Sequence, residues 1–134
     1  MVKLILVTHG TLAQHMLNTA AQILGKTTDG VEVLSVCASS SVEEGVDQLK
    51  KLLADAQDGS VVLTDIFGGS ATNIALTATK DCQKCYVITG LNLSMLLTAL
   101  NSRKKLDAKE LAEKIEADGK RAVINATELL IKGF

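Results

Sequence analysis

Residues 2–8 form a nearly continuous apolar run, interrupted only by Lys3 and closed by Thr8-His9-Gly10. A stretch with no alternation of apolar and polar residues is a strand buried on both faces, the mark of a parallel sheet clothed by helices. Residues 11–24 then place Leu12, Ala13, Met16, Leu17, Ala20, Ile23 and Leu24 at helical spacing, and Gly25 supplies a C-terminal stop. The opening of the chain therefore reads as one strand-helix unit.

The unit repeats. Residues 31–37 read as a second strand, and Ser41-Val42-Glu43-Glu44 opens the next helix as a capping box, with Val46, Leu49, Leu52 and Leu53 on its apolar face. Residues 60–65 read as a third strand, followed by Gly68-Gly69-Ser70 and a short helix over 71–79. A fourth strand spans 84–89 and ends at Gly90, Asn92 caps a helix over 93–100, and Asp107-Ala108-Lys109-Glu110 caps another. The apolar stretch 127–132 is ambiguous at this length between the end of a helix and a fifth strand.

Strands alternating with helices require right-handed crossovers over a mainly parallel sheet, the doubly wound α/β class, with the common strand order 2-1-3-4 and helices on both faces. At 134 residues, and with no linker or low-complexity tract, residues 1–134 read as one domain. The hydrophobic fraction of 47% excludes disorder, and a net charge of -1 gives no electrostatic reason to expect nucleic acid. Aromatic residues are limited to Phe67, Tyr86 and Phe134, so no base-stacking platform is visible.

No apolar run approaches the ~20 residues that span a bilayer, and the amino terminus lacks an export signal, so a cytoplasmic protein is expected. Cys37, Cys82 and Cys85 are too few and too oddly numbered for a disulfide framework and are expected to be reduced. Cys82-Gln83-Lys84-Cys85 has redox spacing, but it precedes a strand rather than a helix, so packing is the expected role. No second pair or nearby histidine supports a metal site, and no cofactor is called for.

In such sheets, reacting groups collect at the carboxyl ends of the strands, where the order reverses. His9 ends strand one and Asp65 ends strand three, and the order 2-1-3-4 makes those ends neighbours. A carboxylate on one ring nitrogen fixes the imidazole tautomer and leaves the other nitrogen free to attack. The N–H groups around Gly10, Thr11 and Leu12, at the start of the first helix, would receive an anion on His9. Gly68 and Gly69 allow close backbone approach, and the Ser70 and Thr72 hydroxyls can cap the third helix or donate to phosphate oxygens. Each feature alone has an ordinary explanation, a strand-end histidine or a turn, and it is their convergence that points to phosphoryl transfer. His15 falls on the opposite side of its helix and reads as a solvated residue.

Three runs of residues carry a resemblance. They are Thr8-His9-Gly10 with Leu12-Ala13; Leu63-Thr64-Asp65-Ile66-Phe67-Gly68-Gly69-Ser70 with Thr72-Asn73; and Gly90-Leu91-Asn92-Leu93 with Met95-Leu96. Together they resemble the IIA component of the mannose-family sugar phosphotransferase system, over nearly the whole chain. The resemblance implies that His9 is phosphorylated on Nε2 by the histidine phosphocarrier protein and passes the group to a IIB component that phosphorylates incoming sugar, with Asp65 as the partner of the histidine. It implies a membrane association only through the transporter complex. It also implies a homodimer in which a C-terminal strand over 128–132 pairs antiparallel at the edge of the other subunit's sheet, and on that ground the segment is expected to be a strand. Ala71 and Ser94 stand where the family pattern has proline.

Other readings lead to different expectations. A receiver-like domain would take phosphate on Asp65, but its metal ligands would have to lie where this chain has Thr8-His9-Gly10. A regulatory interaction module would use only the surface and leave His9 unmodified. A nucleotide or flavin binder would use the same helix start, but the aromatic contacts for a flavin ring are missing. For rim contacts with a protein partner, the sequence offers Ile66, Phe67, Leu91 and Leu93.

Overall fold

Each strand alternates its apolar side chains between two layers of helix, which is why the first strand needs no polar face. The computed structural model describes residues 1–133. Four strands, β1 (Lys3–His9), β2 (Glu32–Val36), β3 (Ser60–Thr64) and β4 (Cys85–Ile88), form an all-parallel sheet in the order β2-β1-β3-β4. Six helices accompany it: α1 (Leu12–Leu24), α2 (Val42–Leu53), α3 (Ser70–Thr79), α4 (Leu93–Ser102), α5 (Ala108–Arg121) and α6 (Ala126–Lys132). The expected doubly wound α/β class and strand order are both present.

Leu4 and Leu6 of β1 join Val61 and Leu63 of β3 under α1, α4 and α5. Ile5, Val7 and Val62 face the other way, onto α2 and α3. All seven are fully buried. At ~25 cal/mol per Å² of apolar surface removed from water, these two layers are the main force that holds the strand ends in place.

Local signals act as expected at most helix starts. Asn92 Oδ1 accepts from the Met95 amide at 3.0 Å. At α5 the Asp107 carboxylate accepts from the Glu110 amide at 2.8 Å while the Glu110 carboxylate accepts from the Asp107 amide, closing a capping box. At α2 the Ser41 hydroxyl accepts from the Glu44 amide at 3.1 Å, which is the forward half of the box expected there. Ala71 and Ser94 are the second residues of α3 and α4, so the chain enters both helices without the proline of the family pattern.

The structure departs from the sequence reading in four places. Residues 126–132 form a helix instead of the expected antiparallel strand. Asn125 caps it by accepting from the Glu128 amide, and Ala126, Glu128, Leu129 and Leu130 are strong helix formers, while β4 is the edge of the sheet within this chain. Cys82 and Cys85 are joined as a disulfide, not reduced. The tight turn there, with Lys84 at a φ of 60°, brings the two Cα atoms to 5.7 Å, inside the range a disulfide spans. Leu12 and Ile23 of the apolar face expected on the first helix are exposed, since Ala13, Leu17 and Ala20 suffice to contact the sheet. Leu91, offered above as a rim residue, is instead buried in the core.

Candidate active site

β1 and β3 run side by side in register, Val7 opposite Thr64, so the residues that follow their ends leave the sheet together. That adjacency places His9 against Asp65, 56 positions apart in the chain. The His9 ring Nδ1 lies 2.8 Å from Asp65 Oδ2. The same oxygen accepts from the His9 backbone N–H, also at 2.8 Å, and Asp65 Oδ1 accepts from the Ile66 N–H at 2.9 Å.

Partial burial pushes the Asp65 carboxyl up, but hydrogen bonds from the His9 amide, the His9 ring and the Ile66 amide outweigh it, and the group titrates below the usual carboxylate value. An ionised Asp65 can only accept, so Nδ1 is the protonated ring nitrogen and Nε2 carries the lone pair. The His9 side chain is half exposed, at 50%, against 12% for Asp65, so the carboxylate is sheltered while the ring stays reachable.

Gly69 completes the pocket around the ring. A Cβ built there would stand 2.9 Å from Ile66 Cγ2 and 3.3 Å from His9 Cε1, the carbon between the two ring nitrogens. Any side chain at position 69 therefore presses on the imidazole or on the loop that carries Asp65.

The other residues singled out from the sequence divide into groups. Gly10 adopts a φ of 56° and donates its N–H to the Val36 carbonyl at 3.0 Å, so it shapes the turn and that amide is not open to an anion. The amides of Thr11 and Leu12 have no acceptor among the described residues, and Thr11, at the N-cap of α1, makes no side-chain cap bond. Gly68, at a φ of 84°, and Ser70, the first residue of α3, are both exposed. Thr72 is 1% exposed, and its hydroxyl donates to the Ile66 carbonyl at 2.6 Å while lying 2.7 Å from the Thr64 hydroxyl. Its position is that of a brace beneath the Asp65 loop, with no hydroxyl turned toward a ligand.

Two threonines were not singled out from the sequence as site residues. Thr8 is fully buried and its hydroxyl accepts from the Ala13 amide at 3.0 Å, tying the end of β1 to the start of α1. Thr64 partners Thr72. A hydroxyl near the end of a buried apolar strand is the sequence signal that could have found both. Around these groups Ile66 and Phe67 project at 59% and 77% exposure, and beside them Phe67 and Thr72 share a cavity of about 500 Å³ with Gly90 and Asn92. His15 is exposed, as expected.

Comparison with known proteins bears on this geometry. A family model described as the PTS system fructose IIA component (EIIA-man) matches residues 3–116. The mannose-specific EIIAB component of the PTS system of Escherichia coli (strain K12) is 30% identical over 104 residues, covering 76% of this chain and 32% of that protein. The chain thus spans about a third of the length of the curated relatives it matches, 32%. Among solved structures, the phosphotransferase system component EIIA from Streptococcus agalactiae superposes with a TM-score of 0.87 at 26% identity, covering 96% of this chain and 99% of that one. The mannose/sorbose specific IIA subunit from Enterococcus faecalis gives a TM-score of 0.84 at 30% identity, covering 92% and 93%.

Proposed function

This chain belongs to the fructose/mannose IIA family of the sugar phosphotransferase system, and from that premise we propose that it carries a phosphoryl group on His9 Nε2. The donor is the histidine phosphocarrier protein and the acceptor a IIB component, both as expected from the resemblance. The observation that carries the reading is the Asp65 carboxylate held 2.8 Å from Nδ1, which leaves Nε2 as the nucleophile.

Phosphoryl transfer of this kind asks for in-line approach, a free lone pair and donors for the equatorial oxygens. The Nε2 lone pair forms the new N–P bond as the N–P bond to the donor's histidine breaks, and the donor ring recovers its electron pair. The positive charge that develops on the His9 ring is shared with Asp65 through the Nδ1–H. With the proton on Nδ1 held by Asp65, Nε2 attacks with its own lone pair and no separate base is needed. The amides of Thr11 and Leu12 at the start of α1, and the start of α3 beyond Gly68-Gly69-Ser70, would receive the phosphoryl oxygens. Thr72 serves by bracing the loop. Both Asp65 oxygens are engaged by N–H donors, which favours a partner of histidine over a receiver-like acceptor.

The proposal places residues 1–134 as a single IIA domain in the cytoplasm, reaching the membrane only through its transporter complex; no described helix is long and apolar enough to cross a membrane. A homodimer belongs to the same reading. Without an exchanged C-terminal strand, its support is the open edge of β4 and the exposed Val123, Ile124, Leu130 and Ile131.

The direct test is incubation with phosphoenolpyruvate, the first enzyme of the system and its histidine phosphocarrier protein. One acid-labile phosphoryl group per chain is expected on the wild type and none on His9→Ala. Label persisting in that variant would falsify the assignment.

A further inference from the structure

The amino ends of the strands, opposite His9, hold a second concentration of chemistry. Arg103, the C-cap residue of α4, is 5% exposed, and its Nη2 donates to the Asp29 carbonyl at 2.6 Å. Among the described residues no carboxylate lies within ion-pair distance of it. A buried cation with a single carbonyl contact is costly unless an anion meets it.

Arg103 borders three cavities: an acidic one of about 350 Å³ with Glu32, Asp55 and Asp58, and two adjoining basic ones of about 530 and 510 Å³, within the roughly 300–1,000 Å³ typical of small-ligand sites. Lys104 and Lys105 line both basic cavities, Lys84 and Lys109 the larger, and Lys26 the smaller. Three carboxylates share these two cavities, and two of them are engaged elsewhere. Asp58 pairs with the Met1 amine and Asp107 caps α5, while Asp29 meets Arg103 through its carbonyl and its carboxylate acts on the guanidinium only from beyond ion-pair distance. Six basic side chains therefore converge in a chain whose net charge is -1. Tyr86 and Leu106 also line the larger basic cavity and give it apolar surface.

We infer that this cavity binds a small organic phosphate, its phosphate on Arg103 and the surrounding lysines and its body against Tyr86 and Leu106. The planar guanidinium fork matches phosphate oxygens, and the mobile lysines supply point charges around it. The site stands apart from His9 at the other end of the strands, so its occupancy is independent of phosphoryl transfer.

Isothermal titration of the full chain with ADP, pyrophosphate and adenosine tests the assignment. Saturable one-site binding of ADP is expected, tighter than that of pyrophosphate, with none for adenosine. Affinity should fall at least tenfold in Arg103→Gln and in the exposed pair Lys104→Gln/Lys105→Gln, whose fold is checked by circular dichroism. It should be unchanged in His9→Ala. The inference is overturned if ADP fails to saturate, if the lysine pair has no effect, if pyrophosphate binds as tightly as ADP, or if His9→Ala abolishes binding.

Discussion

The helix starts beside His9 and those elsewhere in the molecule are built differently. The helices α2, α4, α5 and α6 each begin with a side chain, from Ser41, Asn92, Asp107 or Asn125, that accepts a hydrogen bond from the first turn. At α1 and α3 the N-cap residues, Thr11 and Gly69, make no such bond. A side-chain cap is worth about 1 kcal/mol, which α3 forgoes; at α1 the Thr8 hydroxyl meets the Ala13 amide from outside the helix and leaves those of Thr11 and Leu12 without an acceptor among the described residues. Both starts flank the imidazole, where an uncapped helix start leaves its amides and its positive end to an anion. On the proposed function, the difference separates parts of the chain arranged for folding from parts left open to the phosphoryl group.

The largest effect expected is on Asp65, the carboxylate held against the His9 ring. Replacing it, as in Asp65→Asn, puts a donor against Nδ1 and reverses the tautomer, and phosphoryl transfer to His9 should slow by about 10²-fold or more. Single-turnover rates measure this, and an unchanged rate would mean that the carboxylate does not orient the ring.

The same pair has a pH signature. Because the folded Asp65 pKa is depressed, its contribution to stability is present above the unfolded carboxylate pKa, ~3.9, and is lost as pH falls through the folded value. The gap in denaturation midpoint between wild type and Asp65→Asn should therefore be full near pH 6 and close as the solution becomes more acidic than about pH 4.

Giving α3 the cap it lacks is the sharpest way to break the contrast. Gly69→Asp would supply a carboxylate to the free amides and also press on Ile66 and the His9 ring. Transfer should fall by about 10²-fold, the scale of losing a preorganised oxyanion donor. Equal rates in the variant would show that the α3 start takes no part.

Thr8→Val removes the hydroxyl that satisfies the Ala13 amide, a buried bond at 3.0 Å. A loss of about 1–2 kcal/mol in urea denaturation is expected, with a lesser slowing of transfer as α1 shifts against β1. The smallest effect belongs to the capped group: Asp107→Ala should cost about 1 kcal/mol and leave transfer at the wild-type rate. A change in transfer there would erase the distinction between the two sets of helix starts.

The elements most legible in the sequence were those fixed by periodicity or by neighbours in the chain. The doubly buried run of β1 and the caps at Asn92 and Asp107 followed from local pattern, and the order that sets His9 beside Asp65 from an arrangement common in doubly wound sheets. The segment 126–132 was misread because a strand there needs a pairing edge, and within one chain the Asn125 cap and good helix formers prevail. Exposure was misjudged at Leu12 and Leu91 because hydropathy does not say how many side chains a given helix needs to reach the sheet.

By itself, then, the sequence determined the fold class and the residues that end each strand, since both follow from spacing along the chain; the order 2-1-3-4, and with it the meeting of an imidazole with a carboxylate, was a common arrangement of that class, which the sheet then adopts. Only the tertiary structure decided which donors and acceptors are already taken. It engaged the Gly10 amide with Val36, turned the Thr72 hydroxyl to Ile66, set Gly69 against the ring and buried Arg103 among lysines. Those allocations depend on segments that are remote in sequence, and hydrogen bonds and desolvation act only at distances that folding creates.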